Sequence, residues 1–121
     1  MKYSINEVEG QGYVLIKVTG NVTRQEMIAC DVEAHALGRK LGIRRYLMDL
    51  TDAVNVESVT DNYRFVHIDV DRDDIDRLAR VAMLVAPEDH SHDFIETAGA
   101  NAGRFVKLFR DWEQAVSYLK D

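Results

Sequence analysis

Apolar and polar residues alternate from Tyr3 to Val8 and again from Tyr13 to Val18, and Glu9-Gly10-Gln11-Gly12 separates the two runs. A period of two marks strands with one covered face. The short glycine-containing connection joins them as a β-hairpin. Gly20-Asn21 then breaks the second strand. From there the period lengthens. Met27, Cys30, Ala34, Leu37 and Leu41 recur three and four apart, the spacing of a helix with one buried stripe. Thr23 and Glu26 form a capping box at its start, and Gly42 stops it.

The rest of the chain repeats this change of period. Tyr46–Leu50 reads as a short buried strand. Val59, Tyr63, Val66 and Val70 form a second helical stripe. An acidic stretch, Asp69 to Asp76, reads as a solvated turn that caps a short helix over Asp73–Leu78. Ala79–Ala86 is the most apolar run and is predicted as the central strand. Asp93–Ala102 follows as a third helix, with Phe94, Ala98 and Ala102 on one side and Gly103 as its stop. Phe105–Phe109 is the last strand. Asp111, with Gln114 three residues on, caps a final helix whose inward face is Trp112, Ala115, Val116 and Leu119. The order β-β-α-β-α-β-α-β-α predicts an α/β domain. It has a mostly parallel sheet, an antiparallel edge hairpin and covering helices. No internal repeat or linker divides residues 1–121, so one domain is expected.

Composition narrows the partners. The net charge is −6 and acidic and basic residues are interspersed, so no basic stripe for nucleic acid or an anionic membrane is present. The longest apolar run, Val81–Pro87, falls far short of the roughly 20 residues that span a bilayer, and no membrane insertion is expected. Met1–Glu7 lacks the apolar core of a secretory signal, and Cys30 is the single cysteine. Together these imply a reducing, cytoplasmic compartment. The opening hairpin offers an edge strand through which a homodimer can form.

The candidate chemistry fails at named positions. Asp69-Val70-Asp71-Arg72-Asp73 has the odd-position spacing of a calcium loop, but Asp74 and Arg80 occupy its required Gly and Glu positions. Cys30 sits in an apolar helix stripe, away from any helix N-terminus that would stabilise a thiolate. Gly99-Ala100-Asn101-Ala102-Gly103 lacks the Lys-Ser/Thr of a phosphate cradle and reads as small residues that let a helix approach the sheet. Asp49 ends a strand like a receiver aspartate, but Thr19-Gly20-Asn21 stands where the acidic pair belongs. His90 and His92, beside Glu88 and Asp89, give the most metal-like segment and a third-ranked reading as a metal-dependent enzyme. His35 and His67 are expected to face solvent from their helices. No complete catalytic motif, cofactor site or metal site emerges.

One segment carries a resemblance. Leu47-Met48-Asp49-Leu50-Thr51-Asp52-Ala53-Val54-Asn55-Val56-Glu57-Ser58 resembles the central signature of STAS domains, the sulfate-transporter and anti-sigma-factor-antagonist family. There a strand ending in Asp-Leu-Ser leads through a loop to Asp-Ser at a helix start. Asp49-Leu50-Thr51 and Glu57-Ser58 stand at the matching places, with Glu57 for the usual Asp and Val59-Thr60 for Ser-Gly. Val106–Phe109 and Trp112–Leu119 resemble the closing strand and helix of small bacterial SpoIIAA-like proteins. The resemblance implies a SpoIIAA-like fold over nearly the whole chain. It also implies a non-catalytic regulator that binds a protein partner through Thr51, Asp52, Glu57 and Ser58, with Ser58 as phosphorylation switch. By its own chemistry, Ser58-Val59-Thr60-Asp61 is also a plain helix start with serine as N-cap. The alternative function is a domain that binds a small apolar ligand or lipid, in a CRAL-TRIO-like groove lined by Phe65, Phe94 and Ala98-Gly99.

Overall fold

The computed structural model describes all residues, Met1–Asp121. Five strands form one sheet in the order β1-β2-β3-β4-β5. They are β1 Lys2–Glu7, β2 Val14–Val22, β3 Arg45–Asn55, β4 Arg80–Val85 and β5 Phe105–Phe109. β1 pairs antiparallel with β2, and every other pairing is parallel. The helices are α1 Arg24–Leu41, α2 Val59–Arg64, α3 Asp93–Asn101 and α4 Trp112–Lys120, and α2 runs on into a π-helical turn at Phe65–Asp69. This is the predicted α/β architecture. β4 is an interior strand, but the middle place belongs to β3.

The side-chain alternation of the strands separates two cores. Val14, Ile16, Val18, Met48, Leu50, Met83 and Val85 face α1, the α2–π segment and α3, in a cluster of 19 buried residues. Leu47, Ala82 and Leu84 point the other way and meet Ala115 and Leu119 of α4 in a cluster of 6. The sheet is therefore covered on both faces, and the α1–α3 side holds most of the buried apolar surface that drives folding.

Local signals fix most helix ends. Thr23 Oγ1 accepts from the Glu26 amide at 3.4 Å, although the Glu26 carboxylate answers the Thr23 hydroxyl, not its backbone amide. Gly42 closes α1 in the left-handed region, φ 69°, where a Cβ is disfavoured. Asp111 caps α4 through the Gln114 amide. Where α3 crosses β5, a Cβ on Gly99 would meet Val106 Cγ1 at 2.5 Å, so glycine there permits the close approach expected of that small-residue run.

Several expectations are corrected. Gly20-Asn21 does not end β2, and Asp52–Asn55 is strand, because these segments pair with each other through Thr19↔Asp52 to Val22↔Asn55. A register shift between Lys17 and Thr19 accompanies the extension, and Gly20 takes φ 91° there, a conformation glycine adopts without strain. No helix forms over Asp73–Leu78, which is a series of turns. Val59 and Tyr63 do not join the inward stripe. Asn62, Phe65, Val66 and Val70 do, because the Asn62 amide oxygen finds a donor in Asn55 Nδ2 at 2.9 Å. Trp112 and Leu41 lie 44% and 38% exposed at the ends of their helices, where the core does not reach.

Candidate functional site

The four residues predicted around the STAS-like segment fall into two groups. Thr51 and Asp52 belong to a cluster on the α4 side of the sheet. The Lys17 ammonium donates to Asp49 Oδ2 at 3.2 Å, Thr51 Oγ1 at 3.3 Å and Asp52 Oδ2 at 3.0 Å. The register shift makes this possible: Thr51 and Asp52 follow one another in β3, yet both side chains reach Lys17. Burial alone would lower the Lys17 pKa, but its bonds to Asp52 and Asp49 outweigh that and raise it. Burial would likewise raise Asp49, and the Thr51 hydroxyl, the Thr51 amide and Lys17 hold it lower instead. The cluster is a closed ion-pair network. Sequence reasoning missed Lys17, whose signal was a lone cation inside the apolar run Leu15-Ile16-Lys17-Val18.

Glu57 and Ser58 lie beyond the end of β3, at the head of α2. Glu57 is half-buried, and its carboxylate accepts from the Arg24 backbone amide at 2.7 Å, at the first turn of α1. A carboxylate is favoured there by the positive end of the helix. Ser58 is exposed. Its Oγ accepts from the Asp61 amide at 3.1 Å, so the serine is the N-cap of α2. Asp61 is flanked by Arg24 at 3.5 Å and Arg64 at 3.6 Å. From this cap a row of apolar side chains faces outward: Val54, Val56, Val59, Tyr63 and Ile68 are all about half or more exposed. Val59 and Tyr63 are four apart and share one helix face. Asn55 ties this region together, bonding Asn62, the Glu57 amide and the Ser91 hydroxyl.

The remaining candidates separate. His90 is exposed and bonds Asp93 Oδ2 at 2.9 Å, while His92 is 3% exposed and directs Nε2 to the Ala53 carbonyl at 3.0 Å. Nowhere do three His, Cys, Asp or Glu side chains converge to hold a metal ion. His35 is not on the surface. It is buried, stacks on Tyr46 with centroids 4.5 Å apart, and its Nδ1 accepts from the Asp76 amide at 3.1 Å. Burial pushes its pKa down to about 4, so the ring is neutral. His67 is exposed, as expected. Cys30 is fully buried, and burial pushes its thiol up to about 12, so it is an inert hydrophobe. The acidic stretch is held by arginines: Asp69 by Arg24, Asp74 by Arg72 and Asp76 by Arg44. Of the residues expected in an apolar groove, Phe65 and Gly99 line a cavity beneath α2 and α3, while Phe94 and Ala98 do not.

The sheet order, the lone antiparallel edge strand and the helices on both faces define an α/β domain with a mostly parallel five-stranded sheet. The crystal structure of an anti-sigma factor antagonist from Mycobacterium paratuberculosis superposes with a TM-score of 0.63 over 99% of this chain and 94% of that one. At 12% identity, what the two share is the fold. An uncharacterized Shewanella loihica protein described as having a SpoIIAA-like fold aligns at a TM-score of 0.47 and 19% identity, over 98% and 92% of the two chains. No family model and no curated protein matches the chain. No helix is long and apolar enough to cross a membrane.

Proposed function

We propose that the protein is a non-catalytic regulator that binds a protein partner across the outer face of α2, with Ser58 as the switch. The observation that carries the reading is the exposed serine cap beside a row of exposed apolar side chains, Val56, Val59 and Tyr63. Apolar surface of this kind is stabilised by a partner that covers it. The likeness to an anti-sigma factor antagonist supports an anti-sigma factor as partner. A phosphate on Ser58 would bring nearly two negative charges to the edge of that apolar row. The start of α2 favours a negative charge there, while Glu57 and Asp61 oppose it, with Asp61 offset in part by Arg24 and Arg64. The partner's apolar face would meet that charge and be expelled. Thr51 and Asp52 sit apart from this surface, in the Lys17 cluster on the α4 side of the sheet.

The test pairs the protein with the anti-sigma factors of its own host in a quantitative pulldown. Wild type and Ser58→Ala should be captured, and Ser58→Glu and Tyr63→Asp should each lose at least about tenfold. Equal capture of all four would refute the surface. Equal capture of Ser58→Glu alone would refute the switch.

A further inference from the structure

The two edges of the sheet are not alike. At β5 the Leu108 amide donates to the Glu96 carboxylate at 2.6 Å, and Gly99 of α3 lies against Val106, so that edge is occupied. β1 pairs with β2 along one side only, and no backbone group of Lys2–Glu7 bonds anything on the other. An unguarded edge of this kind is a template for another strand. α1 extends the open surface. One flank of α1 is covered, because Arg24 and Arg39 reach from it to Asp69 and to the Asp74 carbonyl. The opposite flank overlooks β1: the Tyr3 hydroxyl donates to Glu33 at 2.6 Å, and Glu26 lies 3.5 Å from the Met1 ammonium. Glu26, Ala29, Glu33, Ala36 and Lys40 recur three and four apart along that flank, and all are exposed.

We propose that the chain forms a homodimer in which β1 pairs antiparallel with β1 of a second copy, joining two five-stranded sheets into one, while the two α1 helices meet over the seam. The alternation of side chains limits the register, because residues directly opposite must share a face. Tyr3 and Ile5 lie on the α1 face, Tyr3 through its bond to Glu33 and Ile5 through packing on the core of that side. A two-fold axis through Ser4 sets each Tyr3 against Ile5 of the second copy, and covers a ring that is 39% exposed in the single chain. An axis through Ile5 would set Tyr3 against Glu7 instead. The axis through Ser4 also suits α1. Glu33 lies over Tyr3, with Glu26 and Lys40 each seven residues from it, so the two-fold brings Glu26 of one copy level with Lys40 of the other. Ala29 and Ala36 lie between these charges and let the helices come close. The two Glu33 carboxylates meet at the axis, each held by its own Tyr3 hydroxyl, and their repulsion works against the pair. The surface includes no residue of the outer face of α2, so it stands apart from the role of Ser58.

Sedimentation equilibrium of the full chain at micromolar concentrations should show a dimer in reversible exchange with monomer. Ala36→Arg and Lys40→Glu alter exposed positions and should each weaken association at least about tenfold, the first by bulk between the helices, the second by setting like charges face to face. Glu33→Gln should strengthen it by removing the repulsion at the axis. Cross-linking reads the register, since the single native thiol, Cys30, is buried. Under mild oxidation Ser4→Cys should form a disulfide-linked dimer, because residues facing across the axis have Cα atoms about 4.5–5.5 Å apart, within disulfide reach. Lys2→Cys should not, because Lys2 faces Asn6 of the second copy and its own counterpart lies four residues further on, roughly 13 Å away. The helix variants are checked for a native melting profile, and the cysteine pair decides the matter if either fails to fold. A chain that is monomeric at every concentration would overturn the proposal. So would a dimer indifferent to Ala36→Arg and Lys40→Glu, or one that Lys2→Cys links as readily as Ser4→Cys.

Discussion

Asp31→Asn isolates one charge whose environment opposes it. Asp31 lies on α1 among apolar neighbours, and its carboxyl is pushed from 3.8 up to about 7 chiefly by burial, with Arg104 pulling the other way. Between those values the folded chain holds a proton that the unfolded chain has released. Stability therefore falls as pH rises from about 4 to about 7, and levels off above. The difference is roughly a thousandfold in proton affinity, about 4 kcal/mol at most. Asp31 keeps part of its surface in water, so about 2 kcal/mol is the figure we expect. Asparagine mimics the protonated acid and has no proton to lose. Urea unfolding followed by far-UV circular dichroism at pH 4 and pH 8 gives the contrast. The variant should match wild type at pH 4 and exceed it by about 2 kcal/mol at pH 8. All other titrating groups are common to both chains and cancel in the difference. A variant that is less stable than wild type at pH 8 would refute the reasoning, for it would mean that Arg104 holds Asp31 ionised at a net gain.

Three further outcomes follow from particular contacts. His35 takes up its proton far less readily when folded, at about 4 against the ordinary 6.5, so stability is lost as pH falls from about 6.5 to 4. In His35→Phe, which keeps a ring against Tyr46, the drop in unfolding free energy between pH 7 and 4.5 should shrink by about 2 kcal/mol. Gly38→Ala should destabilise by about 1–3 kcal/mol although alanine favours helix, because a Cβ there would collide with the Tyr46 hydroxyl and lie 2.8 Å from the Ile43 carbonyl. A stabilised or neutral variant in a thermal melt would contradict that packing. Ser58→Ala should cost about 1 kcal/mol in chemical denaturation through loss of the α2 cap, and Ser58→Asp, which can also cap, should recover most of it.

What could be read from the sequence is what neighbouring residues decide. The opening hairpin, the caps at Thr23, Ser58 and Asp111, and the stop at Gly42 each depend on a few adjacent positions, and each is present. The misreadings have partners distant in the chain. Asp52–Asn55 looks like a polar loop until it pairs with Thr19–Val22, whose glycine looks like a break for the same reason. His35 looks like a surface residue until Tyr46 stacks on it and the Asp76 amide claims its nitrogen. Val59 and Tyr63 carry the spacing of a core stripe, and helical periodicity cannot say which apolar row turns inward. A polar residue, Asn62, settles it, because Asn55 waits inside to bond it. That exchange joins the two halves of the candidate surface. By taking the inward place, Asn62 turns Val59 and Tyr63 to solvent beside Ser58. An apolar substitute at Asn62 could pack inward only by leaving the half-buried Asn55 amide without this acceptor. The exposure of that row is thus held by a hydrogen bond partly shielded from water.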